Sequence, residues 1–340
     1  MADKKAAKKK SGKHMPWPLR IPLELFLRIT AFWMTLFGPA WAYWWARRLA
    51  TFAWVVLPHR KIAIRNVNLC FPEKSAAEHK RIARASFRHF CYSFVDYLLI
   101  PKYLMKDKSG KYLKPLPDDS FVAKASRDER PVVLMSAHFG NWEITGHEFS
   151  RFGSKISCVV RDIRPPLVDR WINGAREAMG SKVIRKKDAA RGMARVLKDK
   201  TMLAILIDQN GGDHAPVETF FGVPVTWQWD VSRFIVKHDC IVCYTYGLRI
   251  DEKFKFEVPD YPLREYKKGA DPMQVVRDYR DWLENAIGET PEQYFWMHKR
   301  FKAWKEGWPR RYENLGQSLT PEQYQKMLVV PGFEPDKLSA

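Results

Sequence analysis

From Pro131 onward, short apolar runs alternate with longer amphipathic ones, and this alternation restricts the fold more than any other feature of the chain. The short runs are Val132–Ala137, Ile156–Val160, Lys182–Ile184, Met202–Ile207, Ile241–Leu248 and Phe254–Val258, and they read as strands. Between them lie runs with helical spacing: Trp142–Phe152, Pro166–Met179, Ala189–Lys198 and Val231–His238. In its first part this is the grammar of βαβ units. It predicts an α/β fold with a mostly parallel central sheet flanked by helices. A later helix, Pro272–Ile287, follows an antiparallel-looking pair of strands. Residues 102–130 are polar and turn-rich, and read as a loop or small subdomain.

The first strand passes through Ser136-Ala137 to His138, and Glu143 follows five positions later. Asn141 can cap a helix beginning near Trp142. His138 then stands at the carboxyl edge of the sheet, where open α/β sheets hold ligands. A histidine there can take a proton from an alcohol, and a nearby carboxylate can fix its tautomer and stabilise the imidazolium. Arg161 follows the strand-like Cys158-Val-Val, and Asp208-Gln209 follows Leu203–Ile207 and opens the loop Asn210-Gly-Gly-Asp213. Parallel strands would bring these ends to one edge. Arg176, on the next helix, adds a second cation whose planar fork suits phosphate or carboxylate. No G-x-S-x-G elbow and no zincin histidine pair occur. The pattern therefore points to a base that activates a substrate hydroxyl directly, without a covalent enzyme intermediate.

The formal charge of +20 over 340 residues calls for an anionic partner: nucleic acid, a membrane surface or a phosphorylated lipid. Fourteen tryptophans and 20 phenylalanines fit contact with a bilayer, and no zinc-finger spacing, RNA-binding aromatic signature or P-loop supports nucleic acid. Five scattered cysteines suggest reduced thiols in a cytosolic compartment. Cys240 and Cys243 have no second pair nearby. In a strand their spacing puts them on opposite faces, which argues against a metal or redox pair.

Residues 1–15 carry six lysines against Asp3 and read as a disordered basic tail that could lie on anionic headgroups. Residues 16–58 read as a membrane-anchoring helical segment. Ile29–Ala46 is 18 residues without a charge, just short of the ~20 a spanning helix needs. Gly38-Pro39 interrupts it, and Arg47-Arg48 closes it before a second apolar run, Leu49–Leu57. Two readings stand: one spanning helix, or a kinked hairpin or interfacial helix in one leaflet. Ser75 and Glu78 form a capping box for a helix carrying Ile82, Phe87, Phe90, Phe94 and Leu98 and ending at Pro101. Residues 59–312 form the predicted α/β domain and 313–340 a C-terminal tail.

His138-Phe-Gly-Asn-Trp-Glu143 resembles the H-x4-D/E motif of the glycerolipid acyltransferase superfamily, in the form found in the late acyltransferases of lipid A biosynthesis of Gram-negative bacteria. Arg65-Asn-Val-Asn-Leu-Cys70-Phe-Pro72-Glu73, Val160-Arg161 with Arg176, Asp208-Gln209 and Val217-Glu-Thr-Phe-Phe-Gly222-Val-Pro224 resemble that family's segments in the same order. Pro291-Glu-Gln293-Tyr-Phe-Trp296-Met-His298-Lys-Arg300-Phe301-Lys302 resembles its most specific signature. The likeness runs from about residue 20 to 312.

The resemblance implies transfer of a fatty acyl chain from acyl carrier protein to a hydroxyl of a lipid A precursor, without a cofactor, at the cytoplasmic side of the inner membrane. His138 would be the base and Glu143 its orienter, with Arg161, Arg176 and Asp208 around an anionic lipid acceptor. Gln293, Trp296, His298 and Arg300 would brace the active edge. The lysine-rich N-terminus, residues 106–128 and the tail after Tyr312 depart from the family pattern. Another membrane lipid (a glycerolipid, aminolipid or glycolipid) is the alternative acceptor. A non-catalytic membrane-associated protein that binds anionic lipid is the alternative from another class.

Overall fold

The structure, a computed structural model, describes residues 17–163, 165–185, 188–199 and 201–334. The basic tail expected at 1–15 lies outside them.

The α/β core is a six-stranded sheet. Its strands are β1 (Val132–Ser136), β2 (Ile156–Val160), β3 (Ser181–Arg185), β4 (Met202–Leu206), β7 (Ile241–Tyr244) and β10 (Arg264–Glu265), in the order β10-β7-β1-β4-β2-β3. All pairings are parallel except that of the short edge strand β10 with β7. β1 is buried along its whole length. That is why it reads as a continuous apolar run and not as an alternating one. Its side chains still divide by the strand period of two. Val133, Met135 and Ala137 join one core cluster with Leu203, Ile207 and Val242. Val132 and Leu134 join another with Ile156, Met202 and Ile241. Cys240 and Cys243 fall into these two separate clusters.

Helices α6 (Glu143–Arg151), α7 (Pro166–Ala178), α8 (Ala189–Asp199) and α9 (Asp230–His238) link the parallel strands, and α10 (Pro272–Glu289) follows the edge strand. The run Ile241–Leu248, expected as one strand, is broken. β7 stops at Tyr244 and β8 (Leu248–Arg249) pairs separately with β9 (Phe256–Glu257). The break has a packing cause. Asn141 N–H donates to the Gly247 carbonyl at 2.7 Å, and a Cβ on Gly247 would lie 2.5 Å from the Asn141 oxygen. The strand yields so that the loop after His138 can cross it. Residues 217–226 form a hairpin, β5 (Val217–Phe220) and β6 (Val223–Thr226), closed by Phe221 and Gly222 at φ 51° and 72°. Two left-handed residues make the tight turn whose twist suits a hairpin.

The N-terminal region is helical: α1 (Trp17–Thr35), α2 (Pro39–Val56), α3 (His59–Cys70) and α4 (Ala76–Leu99). The uncharged run Ile29–Ala46 does not form one rod. Gly38, at φ 92° ahead of Pro39, splits it between α1 and α2. Among the described residues, no helix is long and apolar enough to cross a membrane. Ala42, Tyr43, Ala46, Ala50 and Trp54 make a buried stripe on α2, which packs against α4. The opposite face exposes Trp44, Trp45, Leu49, Phe52, Val55 and Val56. Arg47, expected to close the apolar stretch, lies within α2, where its Nε donates to the Tyr92 hydroxyl at 2.8 Å. Of the described α1 side chains only Met34 is buried. The capping box at Ser75 and Glu78 starts α4 as the sequence requires.

Within 102–130 a short helix, α5 (Phe121–Arg127), forms, and Asp260 accepts the first two of its N–H groups. After Tyr312 the chain returns to α3. Arg65 donates to the carbonyls of Arg311, Asn314 and Gln317 at 3.2, 3.3 and 3.2 Å. A last helix, α11 (Pro321–Leu328), lays Tyr324, Met327 and Leu328 on the main core.

Candidate active site

The register of the sheet assembles the site. Ser136 of β1 lies opposite Leu206 of β4. His138 and Asp208 each stand two residues beyond those partners, so they emerge level at the same edge. The Asp208 carboxylate accepts from His138 Nδ1 at 2.9 Å through Oδ1, and from the His138 backbone N–H at 3.1 Å through Oδ2. Asp208 is 2% exposed. Burial alone would raise its carboxyl, but the His138 charge, the two hydrogen bonds and the Arg300 charge hold it below the usual carboxylate range. A carboxylate only accepts, so Nδ1 carries a proton, and in the neutral ring Nε2 is the acceptor. Nε2 faces the Gln209 amide nitrogen at 3.4 Å. The imidazole, with 26% of its side chain exposed, lies between Trp142 and Phe295, whose ring centroids are 5.0 and 6.0 Å away.

The loop that carries His138 is fixed along its backbone. Phe295 N–H donates to the His138 carbonyl at 2.9 Å, and Gly140 N–H donates to that of Gln293 at 3.0 Å. Gly140 has φ 59°, and a Cβ there would sit 2.3 Å from the Gly247 oxygen, so a side chain has no room. Asn141 Oδ1 accepts the Glu143 N–H at 3.1 Å, at the start of α6, while its Nδ2 donates to Asp96 at 2.6 Å. Asp96 and Arg249, both wholly buried, pair at 2.6 Å, and Tyr43 donates to the same carboxylate at 2.7 Å.

Glu143, the expected partner of His138, points elsewhere. Its Oε1 accepts from Tyr97, from the Trp142 indole and from Arg176 Nη2 at 2.7, 2.7 and 2.6 Å, and its Oε2 accepts from Arg176 Nε at 2.9 Å. Glu143 opens α6, and its side chain turns toward α4 and α7. The carboxylate in contact with the ring is Asp208. Burial would raise the Glu143 carboxyl, but Arg176 attraction and three kinds of donor hold it below its ordinary value. Burial would lower Arg176, and the Glu143 charge raises it instead. Arg176, read from sequence as facing substrate, is thus committed to Glu143 and to Asn173. Arg161 is exposed directly after β2, and its charge is felt at His298.

The Pro291–Lys302 segment lines this edge. Gln293 donates to the Arg249 carbonyl at 2.9 Å and accepts its N–H at 3.0 Å. The Trp296 indole donates to Pro291. Arg300, whose charge is felt at Asp208, has its guanidinium 4.3 Å from the Trp227 ring centroid and bonded to the Thr226 carbonyl at 2.7 Å. His298 is pushed down to about 4, chiefly by burial; the Asp208 charge opposes the shift, and the Arg300, His138 and Arg161 charges add to it. It is neutral at pH 7. A cavity of about 60 Å³ lies between the sheet and α6, lined by Leu134, Cys158, Ala204 and Leu206, and Trp142 walls both it and the cleft beside His138.

The sequence brought His138 and Asp208 to the same sheet edge, but assigned Glu143 to the ring and Asp208 to the substrate. Tyr97 and Asp96, which complete the two buried networks, carried no sequence signal, because the helical period of α4 marks them only as inward-facing.

The sequence model of the bacterial lipid A biosynthesis acyltransferases matches residues 13–303. The lipid A biosynthesis lauroyltransferase of Escherichia coli K12 is 24% identical over 74% of this chain and 82% of its own length. The palmitoleoyltransferase of the same strain is 22% identical over 80% and 92%, and the myristoyltransferase 20% over 73% and 76%.

Proposed function

Because the chain belongs to the bacterial lipid A biosynthesis acyltransferase family, we propose that it carries a fatty acyl chain from an acyl carrier protein thioester to a hydroxyl of a lipid A precursor, with His138 as general base. The observation that carries this reading is the His138–Asp208 contact at the carboxyl edge, with Nε2 turned to the cleft. The acceptor hydroxyl hydrogen-bonds to Nε2 and gives it the proton as its oxygen attacks the thioester carbon. Asp208 holds the ring in the required tautomer and stabilises the imidazolium. The tetrahedral intermediate collapses, the carbon–sulfur bond breaks, and the leaving thiolate takes the proton from Nε2. Glu143 and Arg176 act at one remove, fixing the Trp142 indole beside the base. Arg161, exposed at the neighbouring strand end, is the cation placed to meet an acidic group of the acceptor.

Incubation of the purified protein with an acyl carrier protein thioester and a panel of acceptors, read by product mass, tests this. One added acyl chain on the lipid A precursor is expected. Acylation only of a glycerolipid, aminolipid or other glycolipid would reassign the acceptor, and no product on any acceptor would leave the lipid-binding reading.

The membrane supplies the acceptor. The outer faces of α1 and α2 and the turn between them present Phe26, Phe32, Trp33, Phe37, Trp44 and Phe52, with Phe37 and Phe52 at 68% and 67% exposure. A contiguous apolar surface of this kind marks an interaction site. Two short helices with tryptophan at their surface suit insertion into one leaflet of the inner membrane, with the α/β domain on the cytoplasmic side where the carrier protein donor is found. The protein should remain in the membrane fraction in ~1 M salt, where the Debye length is only about 3 Å. Release by salt alone would overturn this attachment.

A further inference from the structure

Attack on a thioester places negative charge on the former carbonyl oxygen, and donors aimed at that position are worth ~10²–10³ in kcat. The His138–Asp208 pair does not supply one. Four backbone N–H groups of the His138 loop are committed: His138 to Asp208, Gly140 to the Gln293 carbonyl, Asn141 to the Gly247 carbonyl, and Glu143 to Asn141 Oδ1. The Trp142 indole and the Arg176 guanidinium are taken by Glu143.

Resting on the acyl-transfer reading, we infer that Gln209 is a further catalytic residue whose side-chain amide donates to the oxyanion. Its Nε2 lies 3.4 Å from His138 Nε2, beside the point where the hydroxyl proton is taken, and this is the only hydrogen-bond contact of its carboxamide among the described residues. The amide bears two protons, so one can face the ring while the other faces the cleft. Its backbone is held on both sides. Asp208 before it is bonded to His138. Asn210 after it donates to the Lys299 carbonyl at 2.7 Å and forms a bridge with Trp227. A Cβ on Gly211 would stand 2.3 Å from the Trp227 oxygen, so the loop is pressed against the hairpin. Such fixing keeps the donor in place without reorganisation during the reaction.

The contact also strengthens in the right direction. Without substrate, the single Nε2 lone pair accepts from Gln209. The acceptor hydroxyl takes over that lone pair when it binds, which frees the amide to donate to the thioester oxygen, and this bond gains most as the oxygen becomes negative. Interactions stronger in the transition state than in the ground state raise kcat. Gln209 itself neither gains nor loses a proton. The carbon–oxygen bond forms, the carbonyl electron pair moves to oxygen and returns as the carbon–sulfur bond breaks, and the thiolate leaves with the proton from Nε2.

The test is steady-state kinetics of full-length Gln209→Ala and Gln209→Glu with the acyl carrier protein thioester and whichever acceptor wild type uses. Binding of a non-transferable thioether donor analogue and the thermal midpoint are measured alongside. Gln209→Ala should lose ~10²-fold in kcat with KM, analogue binding and midpoint nearly unchanged. Gln209→Glu has the same shape but only acceptor oxygens, and should fall lower still. The inference is overturned if Gln209→Ala keeps wild-type kcat, if its loss resides in KM or the midpoint, or if Gln209→Glu matches or exceeds it. If wild type itself forms no product, the acyl-transfer reading falls first and this inference with it.

Discussion

Asp208→Asn should lower acyl transfer by ~10³–10⁴-fold while leaving the protein folded. Asparagine can turn its NH₂ toward His138 Nδ1, which moves the ring proton to Nε2 and removes the acceptor that the hydroxyl needs. The equivalent change in a serine hydrolase triad costs ~10⁴ in kcat. His138→Ala removes the base itself and should cost ~10²–10⁴-fold. Glu143→Gln is the informative contrast, because Glu143 bonds Tyr97, Trp142 and Arg176, and Asp208 is the carboxylate bonded to the ring. Its activity loss should be the smaller and should accompany a lower thermal midpoint, since Arg176 is left partly unpaired in a buried setting. Should Glu143→Gln match Asp208→Asn at an unchanged midpoint, Glu143 would regain the orienting role and the mechanism above would be wrong.

The largest expected effect on stability is at Asp96. Both it and Arg249 are wholly buried, and Asp96 also accepts from Tyr43 and Asn141. Asp96→Ala leaves the guanidinium without its counter-charge, and breaking such a pair costs ~3–5 kcal/mol. The Tyr43, Tyr92 and Phe256 rings, 5.3, 5.4 and 4.9 Å from the Arg249 charge, compensate only part of it. Replacing both members, as Asp96→Leu with Arg249→Met, should recover most of the lost stability, because apolar pairs of similar volume are often neutral substitutes. Activity should not return with it, since Asn141, in the loop after His138, still lacks its acceptor. A double variant restored in both respects would show that Asp96 serves packing alone. Unfolding midpoints in detergent, read beside transfer rates, decide between these outcomes.

Much of the sheet was legible because strands buried on both faces are written as continuous apolar runs. Ile156–Val160 was read to the residue, and Met202–Ile207 to within one. The break after Tyr244 was not legible, because it is imposed by the Asn141 contact with Gly247, more than 100 positions away in sequence. Gly38-Pro39 did announce the division between α1 and α2. At the site, proximity in sequence pointed to Glu143 as the carboxylate beside His138. The ring instead meets Asp208, 70 residues on, through the register of two parallel strands. A single sequence shows that both strands exist and not that they are neighbours. Arg176 illustrates the same limit: its helix was legible, but the phase that turns it to Glu143 depends on where α7 packs.

The grip of Arg65 on the carbonyls of Arg311, Asn314 and Gln317 has a consequence in time. Arg65 and Gln317 are 252 positions apart. At synthesis rates of ~5–20 residues per second, roughly 13–50 s pass between the emergence of the one and the other. For that interval α3 lacks the partners of its buried cation, while the apolar faces of α1 and α2 are already outside the ribosome. If those faces attach to the bilayer as proposed, the protein is tethered long before its core can close. The order of events is then written into the chain direction: arrival at the membrane first, enclosure of the catalytic domain last.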